Sequence, residues 1–166
     1  GRVRTISDKL EAIGMKIFEV TPEVMNRLSD TDSPQGILVV VRKKTCELND
    51  FNQSHEGLLL VLDEVRDPGN LGTMIRTADA AGIDGIILLD GCTDVFAPKA
   101  VRSAMGSLFH LPIRNEQNKN EFISWCRENN WSLWSSSLEG GQSIYSEELA
   151  KRTAIIIGNE AEGVSA

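Results

Sequence analysis

Beyond residue 57, short apolar runs alternate with longer segments of helical period. Leu58–Asp63 and Gly85–Leu89 have the length and continuity of strands buried on both faces. Between them, Leu71, Met74, Ile75, Ala78 and Gly82 recur at i, i+3, i+4, i+7 and i+11. That spacing predicts one apolar face of a helix over Asn70–Ala81, closed by Gly82. Pro98–Gly106 predicts a second helix, and Leu108–Ile113 a short extended stretch. A helix over Asn120–Asn129, a strand over Trp131–Ser135, a short helix over Ser146–Lys151 with Ser146 as cap, and a last strand over Thr153–Ile157 complete the series. Strands alternating with helices imply an α/β fold, a parallel sheet with helices on both faces.

The first 44 residues follow another pattern. Met15–Val20 alternates like a strand, Thr21-Pro22 reads as the cap and first residue of a helix reaching about Leu28, and Ile37–Val41 is a β-branched run. Residues 1–44 therefore read as part of a small α+β domain. Residues 45–56, polar and aperiodic, read as a linker, and 57–166 as the main domain.

Composition narrows the classes. Hydrophobic residues are 41% and charged residues 25%, which fits a globular chain and excludes collagen and disordered tails. No apolar run is long enough to span a bilayer. Cys46, Cys92 and Cys126 are scattered, and no CxxC pair or neighbouring histidines suggest a metal site or disulfide framework. Such thiols fit a reducing cytoplasm. The chain opens Gly1-Arg2-Val3-Arg4, with neither a Met nor a signal segment, and reads as trimmed. Acids outnumber bases 24 to 17, so any nucleic-acid contact must come from a local basic face.

In parallel α/β sheets ligands bind beyond the carboxyl ends of the strands. Three segments there could carry chemistry. In Asp67–Ala78, the cluster of Pro68, Gly69, Asn70 and Gly72 opens the first helix. Arg76 lies about 140° from the apolar face, so it is solvated or faces a ligand. In Pro98–Ser107, Lys99, Arg102 and Gly106 share a face, where two cations beside a residue without a side chain would admit a phosphate backbone. In Gly158–Ser165 the glycine spacing imitates a phosphate-binding loop, but Val164 stands where its lysine must be. Two carboxylates there suit a cationic or polyhydroxyl ligand better. The plainer readings are a capped helix, a solvated polar face and a glycine-rich connection. The chain has neither a nucleophile elbow nor a dinucleotide fingerprint.

Taken together and in order, these segments resemble the SpoU (TrmH-type) family of RNA ribose 2′-O-methyltransferases, in particular its ribosomal-RNA branch. The first family motif resembles Asn70-Leu71-Gly72 through Arg76-Thr77-Ala78, the middle stretch Phe96–Arg102 through Gly106–Pro112, and the second motif Ile157–Gly163. Ser33–Leu38 is similar to the junction between the family's substrate-binding and catalytic domains. The family's third motif, a proline-led turn, a Ser-Leu-Asn run and a final helix, has no counterpart before Ala166. In the family that segment forms a deep trefoil knot and completes the methyl-donor pocket.

The resemblance implies S-adenosylmethionine as donor, a ribose 2′-hydroxyl of RNA as acceptor (ribosomal more than transfer RNA), a homodimer, and no metal. It implies catalytic roles for Asn70, Arg76 and Glu160. Arg76, always protonated, would clamp a phosphate and stabilise the forming alkoxide rather than act as a base. Ser136, Gly158, Asn159 and Gly163 would line the donor site, and Lys99 and Arg102 would contact RNA. The competing expectation is a non-catalytic RNA- or ribosome-binding module on the same fold.

Overall fold

The computed structural model describes residues 2–31, 33–44, 46–137, 141 and 143–165. It divides into two compact units, Gly1–Lys43 and Lys44–Ala166.

The first unit holds two helices, α1 (Arg2–Ala12) and α2 (Pro22–Leu28). Helix α2 starts as its sequence predicts: Thr21 is the N-cap, its hydroxyl accepting from the Val24 N–H at 3.4 Å, and Pro22 follows. Helix α1 carries no signal that the sequence reading used. The predicted strands at 15–20 and 37–41 are not strands: both segments run without a ladder. Alternation decides which side chains share a face, but a strand exists only where a neighbour completes its backbone hydrogen bonds. Phe18 and Val40 stand 80% and 84% exposed on these segments.

The second unit is a five-stranded sheet. In chain order it comprises β1 (Gly57–Leu62), α3 (Pro68–Ala81), β2 (Gly85–Leu89), α4 (Pro98–Ser103), β3 (Ile113–Glu116), α5 (Lys119–Glu128), β4 (Ser132–Ser135) and β5 (Arg152–Ile157). The strand order is β3-β2-β1-β5-β4, and every pair is parallel. Helices α3 and α4 carry the chain stepwise from β1 to β3, and α5 carries it back across the sheet to β4. Right-handed crossovers place helices of opposite travel on opposite faces.

The core follows that division. Leu62, Ile86 and Leu88 pack under α3 and α4 with Leu71, Ile75, Ala78, Ala100 and Ala104. Their neighbours Leu59, Val61, Ile87 and Leu89 point the other way, onto Phe122, Trp125, Cys126 and Trp131. Both faces are therefore apolar, which is why β1 and β2 read as unbroken apolar runs.

Three segments differ from their sequence expectation. Leu108–Ile113 is a 3₁₀ turn (Ser107–Phe109) followed by strand β3, whose Ile-Arg-Asn-Glu composition is that of a sheet edge and hides it. Ser146–Lys151 is not a helix. A 3₁₀ turn at Ile144–Ser146 ends there, and the Ser146 hydroxyl donates back to the Ser143 carbonyl at 2.7 Å instead of capping forward. A four-to-six-residue helix without an apolar stripe has little to hold it. Residues 46–56 do not hang free between domains. They include a 3₁₀ turn, Leu48–Asn52, whose Phe51 is buried, and Asn49 and Asn52 accept from the Trp125 and Trp131 indole N–H groups, both at 3.2 Å. Trp125 stacks between Phe122 and Trp131, at centroid distances of 6.1 and 5.9 Å.

Candidate ligand-binding edge and its relatives

Strands β1 and β5 are sequence-distant neighbours at the centre of the sheet. In parallel α/β sheets the ligand crevice lies outside the carboxyl ends of the strands. Leu62 pairs with Ile157, and the Asp63 N–H donates to the Ile157 carbonyl at 2.9 Å, so Glu64–Asp67 and Gly158–Ser165 emerge side by side.

The first loop runs into α3. Asp67 is the N-cap: its carboxylate accepts from the Asn70 N–H at 2.8 Å. Lys99 reaches the other carboxylate oxygen at 3.0 Å. The Asn70 N–H first, and the Lys99 ammonium second, hold the Asp67 carboxyl below its ordinary pKa. Gly72, one turn on, is where α3 meets α4. A Cβ there would lie 2.5 Å from the Ala100 carbonyl oxygen and 2.5 Å from the Ser103 Cβ. Ser103 donates to the Gly69 carbonyl at 2.8 Å, so the glycine-rich opening serves helix contact as well as ligand approach.

The second loop is a closed turn. Asn159 and Gly163 exchange backbone hydrogen bonds, both 2.9 Å. The Asn159 side chain accepts from the Ala161 and Glu162 N–H groups and donates to the Glu64 carbonyl at 3.1 Å, tying the two loops together. Gly158 is buried, and a Cβ there would fall 2.1 Å from the Gly163 carbonyl oxygen. From the tip, Glu160 accepts from the Asn70 side-chain amide at 2.5 Å.

The structure thus brings Asn70 and Glu160 into contact across 90 residues of sequence. Gly158, Asn159 and Gly163 share their loop. Ser136 lies just past β4, its N–H donating to the Ile156 carbonyl at 2.9 Å, and is exposed. Its loop continues through 138–140 and 142, outside the described residues. Arg76 is exposed and has no hydrogen-bond or ion-pair partner among the described residues. It sits six residues after Asn70, about 9 Å along the helix and turned about 120° away, so the two side chains of one chain diverge. Lys99 is not an open cation. Its charge is matched by Asp67, and the basic face expected from Lys99 and Arg102 is narrower than the sequence suggests.

Sequence reading missed Asp63, 1% exposed, which accepts from the Ser165 N–H at 2.7 Å and the Ser165 hydroxyl at 2.9 Å. The Lys119 ammonium stands 3.6 Å away and donates to the Ser165 carbonyl at 3.0 Å. The available signal was an acid directly ending a buried apolar strand. Among the described residues no group of three or more His, Cys, Asp or Glu could hold a metal ion, and no helix is long and apolar enough to cross a membrane. A shallow cleft of about 370 Å³ lies at the opposite, amino-terminal edge of the strands, between Glu56, Asp84 and Lys151.

A five-stranded parallel sheet covered on both faces defines an α/β domain of the doubly wound class. The chain belongs to the SpoU rRNA methylase family, whose model matches residues 57–166. A second model, RNA 2′-O ribose methyltransferase substrate binding, matches residues 1–46. The chain is 34% identical over 153 residues to the 23S rRNA (guanosine(2553)-2′-O)-methyltransferase RlmP of Bacillus subtilis, covering 92% of this chain and 59% of that protein. It is 39% identical over 112 residues to the human mitochondrial rRNA methyltransferase 3, covering 65% of this chain and 26% of that one. Among solved structures, the AdoMet-bound rRNA methyltransferase from Sinorhizobium meliloti superposes with a TM-score of 0.86 at 35% identity, over 99% of this chain and 63% of that chain. The chain thus spans about three fifths of the length of the bacterial relatives.

Proposed function

We propose that the protein transfers a methyl group from S-adenosylmethionine to a ribose 2′-hydroxyl of RNA, with ribosomal RNA as the substrate class. The Asn70–Glu160 contact at the crevice between β1 and β5 carries this reading, because it joins the two family motifs at the edge where this sheet type takes ligands. The relatives, named as 23S rRNA 2′-O-methyltransferases, support it.

The residues present fit such a donor. Arg66 pairs with Glu64 at 2.5 Å and stands 3.6 Å from Glu162, which leaves Glu160 as the carboxylate of the paired loops without a cationic partner among the described residues, and a carboxylate there favours a cationic sulfonium nucleoside over a polyphosphate. The donor supplies a methyl group on a positively charged sulfur. One oxygen of Glu160 is engaged by Asn70 and the other is open to a hydroxyl or ammonium group. Asn70, with its N–H held by Asp67 and its amide by Glu160, fixes that carboxylate in place. Gly158 lets the turn close on itself, and Asn159 holds it against the first loop. Gly163 and Ser136 complete the donor's surroundings. Aligning the two reactants is worth about 7–11 kcal/mol in favourable cases. Arg76, unpaired on α3, grips the phosphate beside the target ribose and stabilises the alkoxide as it forms. Arg102 and the Lys99–Asp67 pair extend the RNA contact.

Because Arg76 diverges from Asn70 and Glu160 within one chain, the reaction centre is shared by two copies, each arginine serving its partner's donor. Residues 1–44 carry the RNA-binding portion and 57–166 the catalytic portion. The cytoplasm is the compartment that fits.

The test is methyl transfer from labelled S-adenosylmethionine to RNA by the full-length protein, with donor uptake followed by calorimetry. Arg76→Ala abolishes turnover without changing the melting temperature. Mixing Arg76→Ala with Glu160→Gln subunits restores about a quarter of wild-type activity if sites are shared, since half the dimers then contain one intact site. Donor uptake without transfer to any RNA, or no uptake at all, leaves the non-catalytic RNA-binding module.

A further inference from the structure

The loop between β5 and Ser165 is fixed at three places. At its root Gly158 is packed against Gly163, and at its tip Glu160 meets Asn70. Its far end is held by a carboxylate that the crevice does not see: Asp63, buried at the carboxyl end of β1, with both Ser165 donors on one oxygen. Lys119, at the start of α5, approaches the same oxygen at 3.6 Å and also donates to the Ser165 carbonyl and hydroxyl.

A buried carboxylate without compensation costs several kcal/mol, so such a group persists only where its partners are complete. Here the cluster joins three distant parts of the chain: Asp63 at the end of β1, Lys119 in the first turn of α5 and Ser165 at the end of the β5 loop. None of them contributes to the apolar core. The arrangement holds neither face of the sheet; it sets where the chain passes over the strand ends after Gly163.

We propose that Asp63 is a positioning residue for the methyl donor, acting through Ser165 with Lys119 as its counter-charge. The inference rests on the methyl-transfer reading. Asp63 does not touch the donor. It keeps Gly158–Ser165 in the one conformation in which Glu160 meets Asn70 and the turn can close around the bound nucleoside. Without it, the Ser165 N–H and the Lys119 ammonium lose their common acceptor, and the loop end lifts off β1.

The experiment compares full-length wild type with Asp63→Ala, Asp63→Asn and Ser165→Ala. Hydrogen exchange over 158–165 reports the loop, and titration calorimetry with S-adenosylmethionine and with RNA reports the two ligands. Asp63→Ala speeds exchange in the loop and weakens donor binding on the order of tenfold, as expected for loss of hydrogen bonds to a buried charge. The donor KM rises with it, while RNA affinity is unchanged. Asp63→Asn keeps an acceptor for the Ser165 N–H and falls between wild type and Asp63→Ala. If Asp63→Ala does not fold, Ser165→Ala, which removes one hydroxyl, carries the comparison with a smaller change in the same direction. A loosened loop with wild-type donor affinity overturns the proposal and leaves the methyl-transfer reading standing. So does a variant that loses thermal stability while loop exchange and donor binding stay as in wild type. Absence of donor uptake by the wild type overturns both.

Discussion

Gly72→Ala tests the packing that sets the crevice. The added methyl would lie 2.5 Å from the Ala100 carbonyl oxygen, 2.5 Å from the Ser103 Cβ and 2.8 Å from the Ala104 N. All three belong to α4 or its end, and two are backbone atoms, so no rotamer change relieves the clash. Ordinary carbon contacts are about 3.5–4.0 Å, so α3 and α4 must part by about 1 Å. Overpacking of this kind costs about 1–3 kcal/mol. Against it, alanine gains about 1 kcal/mol over glycine in a helix interior. The net expectation is a loss of up to about 2 kcal/mol, a large share of a typical domain's stability. Denaturant unfolding followed by tryptophan fluorescence reads it cleanly, because Trp125, Trp131 and Trp134 all lie in the second unit and away from the mutation. The midpoint falls while the slope is kept. A midpoint above wild type would refute the close approach of the two helices. Separation of the helices also breaks the bond from Ser103 to the Gly69 carbonyl, so exchange at the start of α3 rises in parallel.

Other expectations follow from the same geometry. Phe122→Ala empties a site where the ring is 1% exposed, and destabilises by about 3–5 kcal/mol in denaturant unfolding. The Asp67 carboxyl titrates below its unfolded value, so its contribution is present at neutral pH and is lost as the pH falls through the folded pKa. Below about pH 4 the first turn of α3 therefore loosens ahead of the sheet, as amide exchange at Asn70 and Leu71 would show, and Asp67→Ala removes that acid step. Burial, reinforced by Asp50, pushes the Cys46 thiol up to about 11, and burial pushes Cys126 up to about 12. Burial also raises Cys92. All three stay thiols at pH 8, and alkylation of the folded chain is far slower than that of free cysteine.

The central strands and the longest helix were legible because one rhythm determined them. Both faces of β1 and β2 are covered, so continuous apolar runs were the right signature, and α3 shows its apolar stripe and its stop at Gly82, although it starts at Pro68 with Asp67 as its cap rather than at Asn70. That Asn70 and Glu160 share a site was expected only through the family resemblance, since nothing local links residues that far apart. What stayed hidden depended on tertiary partners. Strand β3 is polar because it forms an edge, and the first unit's alternating run at 15–20 and apolar run at 37–41 have no ladder to join. Residues 46–56 look like a linker because their anchors, Asn49 and Asn52, are polar residues that bond to buried indoles. Asp63 looked like a strand's polar end until Ser165 and Lys119 were seen to enclose it. The Lys99–Asp67 ion pair was equally hidden, since nothing local joins residues 32 apart.

The strand order carries a consequence for synthesis. On the ribosome β1, β2 and β3 leave the tunnel in sequence and can zip together as they appear. Strand β4 then has no place to bind, because the slot between it and β1 belongs to β5, which emerges after it. One edge of β1 stays open, rich in leucine and ready to pair with another nascent chain, until nearly the whole second unit has been made. Proteolysis of stalled nascent chains of increasing length would locate that closing event at the exit of Arg152–Ile157.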